Sequence, residues 1–101
     1  MSILIDKNTK VIVQGITGQH GSFHAGKMME YGTNVVAGVT PGKGGQKFNE
    51  IPVFDTVKEA QDFSSADFAI LFVPAKFAFE AAMESLRENL NIVVITGATL
   101  A

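Results

Sequence analysis

The stretch VIVQGITGQHG, residues 11–21, runs from a β-branched apolar segment directly into three glycines spaced three residues apart. The apolar segment predicts a buried strand, and residues 21–31 predict a helix. Glycine allows the positive φ angles and close backbone approach of a tight strand-to-helix turn. The free N–H groups and positive dipole end of such a helix attract anions, and Thr17 adds a hydroxyl donor. The stretch therefore predicts a phosphate or pyrophosphate site.

Composition limits what the chain can be. Its 101 residues, 47% hydrophobic and 18% charged, suit one core-forming domain, which we expect to span residues 1–101. The net charge of -2 argues against nucleic acid as a partner, because binding a phosphate backbone needs excess positive charge. The absence of cysteine excludes disulfides, thiolate nucleophiles and cysteine-based zinc sites. A cytoplasmic or mitochondrial-matrix location fits this composition.

No segment of the sequence predicts contact with a membrane. The N-terminal residues MSILIDKNTK lack the apolar core of a signal peptide. The most apolar run, FAILFV at residues 68–73, has the length of a strand and is too short to span a bilayer. We therefore expect no membrane partner.

Apolar runs alternate with helix-like segments along the chain. Strands are predicted at residues 10–14, 34–39, around 53, 66–73 and 91–96, with helices near 21–31, 56–63 and 75–89 and a loop at 40–50. This order predicts an α/β, Rossmann-like parallel sheet with strand order 3-2-1-4-5 and helices on both faces. Ligands of such sheets bind outside the carboxyl ends of the strands.

Local signals mark the helix ends and the apolar side of one helix. Ser22 is a candidate N-cap and Gly32 a candidate C′ residue for the first helix, and Thr56 or Asp55 is expected to cap the second. Gly26 within the first helix suggests a close approach to a strand or ligand. The third helix carries an apolar stripe at helical spacing, formed by Phe79, Ala82, Met83 and Leu86.

The loop after the second strand bears on the identity of the ligand. A nicotinamide site for NAD predicts an acidic residue there to bind the ribose hydroxyls. No acidic residue occurs between residues 34 and 49, and Lys43 stands within PGKGG instead. A lysine suits an additional phosphate near the ribose. Two ligands carry one, NADP at its 2′ position and coenzyme A (CoA) at its 3′ position, and the residues alone leave both open.

Four segments together resemble a known family. DKNTKVIVQGITGQHGSFH, YGTNVVAGVTPGKGG, IPVFDTVKEA and FVPA are similar to the N-terminal CoA-binding domain of succinyl-CoA synthetase (succinate–CoA ligase) α subunits. The resemblance extends over residues 6–96 and implies a Rossmann-like domain with CoA as its ligand. The CoA contacts that it implies are Thr17, Gly18, Gln19, His20, Lys43, Val73, Pro74, Ile95, Thr96 and Gly97.

The sequence departs from the family pattern in two ways. Gly97 stands where the family has a glutamate after the threonine of ITEGIP, so the contact of that side chain is absent or replaced. The family's second domain, which carries the phosphorylated histidine, has no counterpart among these residues, and neither His20 nor His24 is that histidine.

The family reaction joins succinate and CoA at the expense of ATP or GTP. In this family the β subunit grasps the nucleotide, so the resemblance implies a β-subunit partner. We expect this chain to bind CoA without catalysing the reaction by itself, and we assign it no catalytic residue or metal ligand. The alternative function is an NADP-binding domain of an oxidoreductase or redox sensor.

Overall fold

The computed structural model describes residues 8–96 of the chain. Strands and helices alternate through this region, apart from three consecutive strands in its middle. The elements are β1 (Lys10–Gln14), α1 (Gln19–Glu30), β2 (Asn34–Val39), β3 (Lys47–Phe48), β4 (Ile51–Phe54), α2 (Val57–Ser64), β5 (Phe68–Val73), α3 (Ala75–Arg87) and β6 (Asn91–Thr96). No helix in residues 8–96 combines the length and apolar character needed to cross a membrane.

The strands form one sheet in the order β3-β4-β2-β1-β5-β6. β4, β2, β1, β5 and β6 pair in parallel, and their order is the predicted 3-2-1-4-5. β3 differs from the prediction, because residues 47–48 were expected to lie in a loop. It pairs antiparallel with β4 and adds a two-residue strand at the sheet edge.

Two apolar clusters cover opposite faces of the sheet. One contains Ile12 and Leu71 and packs under α2 and α3. The other contains Val11 and Val13, from the same strand, and packs under α1. Successive side chains of a strand point to opposite faces, so the continuous apolar run of β1 supplies both clusters. The prediction of helices on both faces is confirmed.

The helix ends follow the predicted signals in part. Gly32, at φ +92°, follows the Tyr31 C-cap of α1. Thr56, and not Asp55, caps α2, because its hydroxyl oxygen accepts a bond from the Glu59 N–H at 3.2 Å. Ser22 is not the cap of α1, which begins earlier, at Gln19, with Gly18 as N-cap.

α3 faces the sheet with its small residues. Ala81 and Ser85 are its buried positions, whereas Phe79 is 74% exposed and Leu86 is 49% exposed. The apolar stripe of the sequence therefore meets the core only in part, because Ala82 packs partly buried against it and Met83 is partly buried, whereas Phe79 and Leu86 face outward. Small side chains let the helix lie close to β5 and β6, and that leaves the bulky apolar residues on its outer side.

A buried polar contact joins the end of β1 to this small-residue face. The Gln14 side-chain amide donates to the Ala81 carbonyl oxygen at 2.9 Å and to the Ser85 hydroxyl at 2.7 Å. Gln14 is 5% exposed and Ser85 is fully buried. Because an unpaired buried amide is costly, this contact fixes how α3 sits on the strand that precedes the glycine turn.

Candidate functional site

The glycine turn between β1 and α1 is closed by backbone contacts. Gly15, at φ +80°, donates its N–H to the Val39 carbonyl at 2.8 Å, and Gly18 donates to the Gly15 carbonyl at 3.0 Å. A Cβ on Gly21 would overlap the Gly15 carbonyl oxygen. Gly15 therefore requires glycine for its conformation and Gly21 for its close packing, whereas a Cβ on Gly18, at φ -74°, would lie 3.3 Å from the Gly15 carbonyl oxygen.

The start of α1 presents backbone donors at this turn. No side chain of residues 8–96 caps the helix, and its first turn contains no acidic residue. Gln19 and His20 lie at the start of the helix and are exposed. The first N–H groups of a helix have no partner within the helix, and the helix dipole adds positive potential there. The arrangement fits an anionic group.

Ile16 anchors the turn in the core. Its side chain is fully buried. It occupies space beside Gly38 of β2, where a Cβ would lie 2.9 Å from the Ile16 Cδ1 atom. Gly38 therefore leaves room for a core side chain that the turn itself contributes.

The glycine loop after β2 carries Lys43 and is exposed throughout residues 41–47. The Lys43 N–H donates to the Thr40 carbonyl at 3.0 Å, and the Gln46 N–H donates to the Lys43 carbonyl at 3.2 Å. The Asp55 carboxylate accepts bonds from the N–H groups on both sides of Lys43, those of Gly42 at 2.8 Å and Gly44 at 2.9 Å. The Lys43 ammonium has no carboxylate partner in residues 8–96.

A side-chain hydrogen bond links the turn and the loop. The Thr17 hydroxyl donates to the Thr40 hydroxyl at 3.1 Å, and both side chains are partly buried. The structure thus joins the two segments in which the sequence predicts phosphate contacts, and Lys43 lies three residues beyond this contact.

The remaining predicted residues lie at or just beyond the carboxyl ends of β5 and β6. Val73 ends β5 opposite Thr96 of β6, and Pro74 is the N-cap of α3. Ile95 is partly buried against the cluster beneath α1. These positions lie at the carboxyl edge of the sheet, as do the glycine turn and the Lys43 loop. Gly97 lies outside the described residues.

The histidines have separate environments. His20 is exposed at the start of α1. His24 is partly buried, with its ring stacked on Phe72 at 5.2 Å between centroids and edge-on to Phe23 at 5.3 Å. His24 is thus a packing residue of the α1 side. Residues 8–96 contain no group of three histidine, aspartate or glutamate side chains that could hold a metal ion.

Sequence reasoning missed two residues of this edge. The sequence pattern predicts Thr40 only as the start of a loop and Asp55 only as a possible helix cap. The signal for Asp55 was present, because an acidic residue at the end of one strand lies beside the loop that leaves the neighbouring strand. Its bonds to Gly42 and Gly44 span 13 and 11 residues, beyond the reach of local turn rules.

A solved structure shares the fold. The WlbA (WbpB) dehydrogenase from Thermus thermophilus, described in complex with NAD and UDP-GlcNAcA, superposes with a TM-score of 0.65 over 85% of this chain and 32% of its own. The two sequences are 17% identical, so the likeness concerns the Rossmann-like fold alone.

Closer sequence relatives are α subunits of succinate–CoA ligase (ADP-forming). The chain is 57% identical to the subunit from Aquifex aeolicus, 54% to α subunit 1 from Archaeoglobus fulgidus and 51% to the subunit from Staphylococcus aureus. Each match covers 94 residues, or 93% of this chain. The chain spans about a third of these relatives' length, 31% or 32%.

The family comparison covers nearly the whole chain. The CoA binding domain family matches residues 6–98, which include the glycine turn, the Lys43 loop and every described strand and helix. The match agrees with the resemblance seen in the sequence and with the donors assembled at the carboxyl edge of the sheet. This chain belongs to the CoA binding domain family.

Proposed function

We propose that this chain binds CoA as the N-terminal domain of a succinate–CoA ligase α subunit. The observation that carries the proposal is the family match over residues 6–98, together with 51–57% identity to such subunits. The geometry adds physical support, because the start of α1 has no side-chain cap and the Lys43 ammonium has no carboxylate partner among residues 8–96, and both are suited to anionic groups. CoA carries two such groups, a pyrophosphate and a 3′-phosphate.

Each half of the site has a proposed role. The N–H groups of Gln19 and His20 would receive part of the pyrophosphate–pantetheine region. Gly18, whose own N–H is bonded to the Gly15 carbonyl, would contact the same region, and the Thr17 hydroxyl would become a further donor when its proton turns from Thr40 to the ligand. Lys43 would pair with the 3′-phosphate. The residues at and beyond the last positions of β5 and β6 would line the remainder of the ligand: Val73, Pro74, Ile95, Thr96 and Gly97.

The chain is expected to hold CoA without completing the ligase reaction. Of its two histidines, His24 is packed against aromatic rings and His20 has no carboxylate partner among residues 8–96. A phosphorylated histidine and a nucleotide site would come from the rest of an α subunit and from a β subunit. The bacterial and archaeal relatives favour a cytoplasmic location. Thioester formation by the isolated chain with ATP, succinate and CoA would contradict this division of roles.

Calorimetric titration tests the ligand. The chain should bind CoA, bind dephospho-CoA more weakly and bind NADPH least. Lys43→Ala should weaken CoA binding by about 1–2 kcal/mol, which is about 5- to 30-fold, because a charge-assisted contact is lost.

Lys27→Ala is the matched control. Lys27 is an exposed lysine in the last turn of α1, at the opposite end of the helix from the glycine turn. Its removal should leave CoA affinity unchanged. Binding of NADPH in preference to CoA would overturn the proposal and favour the oxidoreductase or redox-sensor alternative.

A further inference from the structure

Asp55 holds the backbone on both sides of Lys43. One carboxylate oxygen, Oδ1, accepts the N–H groups of Gly42 and Gly44 at 2.8 and 2.9 Å. A carboxylate accepts such bonds more strongly than a neutral oxygen does. Lys43, which lies between Gly42 and Gly44, is the residue proposed to bind the 3′-phosphate.

The loop buries no side chain and is otherwise held by backbone bonds alone, which include the Gly45 N–H to the Val53 carbonyl at 3.0 Å and the Val53 N–H to the Gln46 carbonyl at 3.0 Å. Its residues 41–47 are all exposed, and Gly42 and Gly45 adopt φ angles of +85° and +94°. Glycines in such conformations lose much backbone entropy when they are fixed in place. Gly44 also lies against the carboxylate, since a Cβ there would sit 2.7 Å from the Asp55 Oδ2 atom. The loop backbone is therefore folded directly onto Asp55.

Asp55 itself stands on a rigid part of the fold. It follows Phe54, the last residue of β4, which pairs with Val39 of β2 and accepts the Thr40 N–H at 3.0 Å. It precedes Thr56, the N-cap of α2. A carboxylate fixed between a strand and a helix can define the position of a loop that buries no side chain of its own.

Asp55 is negatively charged and therefore cannot itself attract the 3′-phosphate. A carboxylate beside the proposed 3′-phosphate would repel it, so any benefit to binding must come from the geometry of the loop. We infer that Asp55 is a positioning residue that sets Lys43 in place for the 3′-phosphate of CoA. This inference rests on the proposed function. Ordering the loop before binding lowers the entropy that binding has to overcome.

The test combines side-chain truncation with an isosteric change. Asp55→Ala removes both bonds and should weaken CoA binding about 5- to 10-fold. Asp55→Asn keeps an oxygen able to accept both bonds and removes the negative charge. It should bind CoA within about 2-fold of the unsubstituted chain or more tightly, because the repulsion is gone.

A double-mutant cycle asks whether Asp55 acts through Lys43. In a Lys43→Ala background, Asp55→Ala should change CoA affinity by less than about 2-fold, because the group it positions is absent. Dephospho-CoA should respond equally little to Asp55→Ala. Asp62→Ala, which removes an exposed carboxylate from α2, is the control for loss of a negative charge.

Hydrogen exchange separates this inference from the proposed function. Asp55→Ala should speed amide exchange at Gly42 and Gly44 and leave the core strands unaffected. The positioning role is wrong, and the proposed function stands, if the chain binds CoA, Lys43→Ala weakens that binding and Asp55→Ala leaves it unchanged. Equal losses for CoA and dephospho-CoA would also overturn the positioning role. If the unsubstituted chain fails to bind CoA, the proposed function falls, and the exchange data then report only the hold of Asp55 on the loop.

Discussion

Two glycines of α1 should respond in opposite directions to the same substitution. Gly21 faces the glycine turn, and a Cβ there would overlap the Gly15 carbonyl oxygen and lie 2.8 Å from its carbonyl carbon. Gly26, in the same helix, has no heavy atom within 4 Å of an added Cβ outside its own helix backbone and adjacent residues. The close approach that the sequence suggested for Gly26 is therefore found at Gly21.

The expected free energies follow from these environments. Gly21→Ala forces backbone atoms apart, and overpacking costs about 1–3 kcal/mol, against a gain in helix propensity of at most about 1 kcal/mol. We expect a net loss of about 1–2 kcal/mol in unfolding free energy. Gly26→Ala has only the propensity term and should gain about 0.5–1 kcal/mol.

Urea unfolding followed by circular dichroism measures the difference. Proteins of this size have m values of about 1–3 kcal/mol/M, so the midpoints of the two variants should differ by about 1 M. CoA affinity should fall for Gly21→Ala and stay unchanged for Gly26→Ala. A Gly21→Ala variant as stable as the unsubstituted chain, or a destabilised Gly26→Ala variant, would refute the reasoning.

Three further substitutions test the packing and the caps. Ser85→Ala removes one hydrogen bond of the buried Gln14 amide and should lower the unfolding free energy by about 1 kcal/mol, measured by urea titration. Thr56→Ala should cost about 1 kcal/mol through loss of the α2 cap, and Thr56→Ser should restore the stability in thermal unfolding. Phe79→Lys should change the unfolding free energy by no more than about 0.5 kcal/mol, because Phe79 is exposed, whereas Leu71→Ala in the core should cost about 2–5 kcal/mol. A large loss for Phe79→Lys would mean that the Phe79 side of α3 faces the sheet.

The strands of the sheet could be predicted because their residues are strongly patterned. β1, β2 and β6 have the predicted bounds, since β-branched runs end at glycine or polar residues. β3 could not be predicted, because a two-residue strand has no pattern of its own and exists through its pairing with β4. The start of α1 was misplaced by two residues, because Gly18 serves as its N-cap without any side-chain bond.

The orientation of α3 and the contact between Asp55 and the Lys43 loop depend on tertiary packing, which a sequence pattern does not contain. Periodicity reveals that α3 has an apolar stripe, but the sheet selects the small-residue side around Ala81 and Ser85. The contact of Asp55 with the Lys43 loop joins residues from different strand ends, so only the folded sheet brings them together. The ligand contacts came from the resemblance, and they stay predictions until binding is measured.

The buried Ile16 has a consequence for how the two halves of the site move. Opening the glycine turn would withdraw this side chain from its place beside Gly38 and expose apolar core, so the turn should open only when the domain unfolds. The loop at residues 41–47 buries no comparable side chain and can open locally. For a ligand held by both, the loop, which Asp55 and backbone bonds hold in place, should be the half that opens first, and the opening of the loop should set the residence time of the ligand.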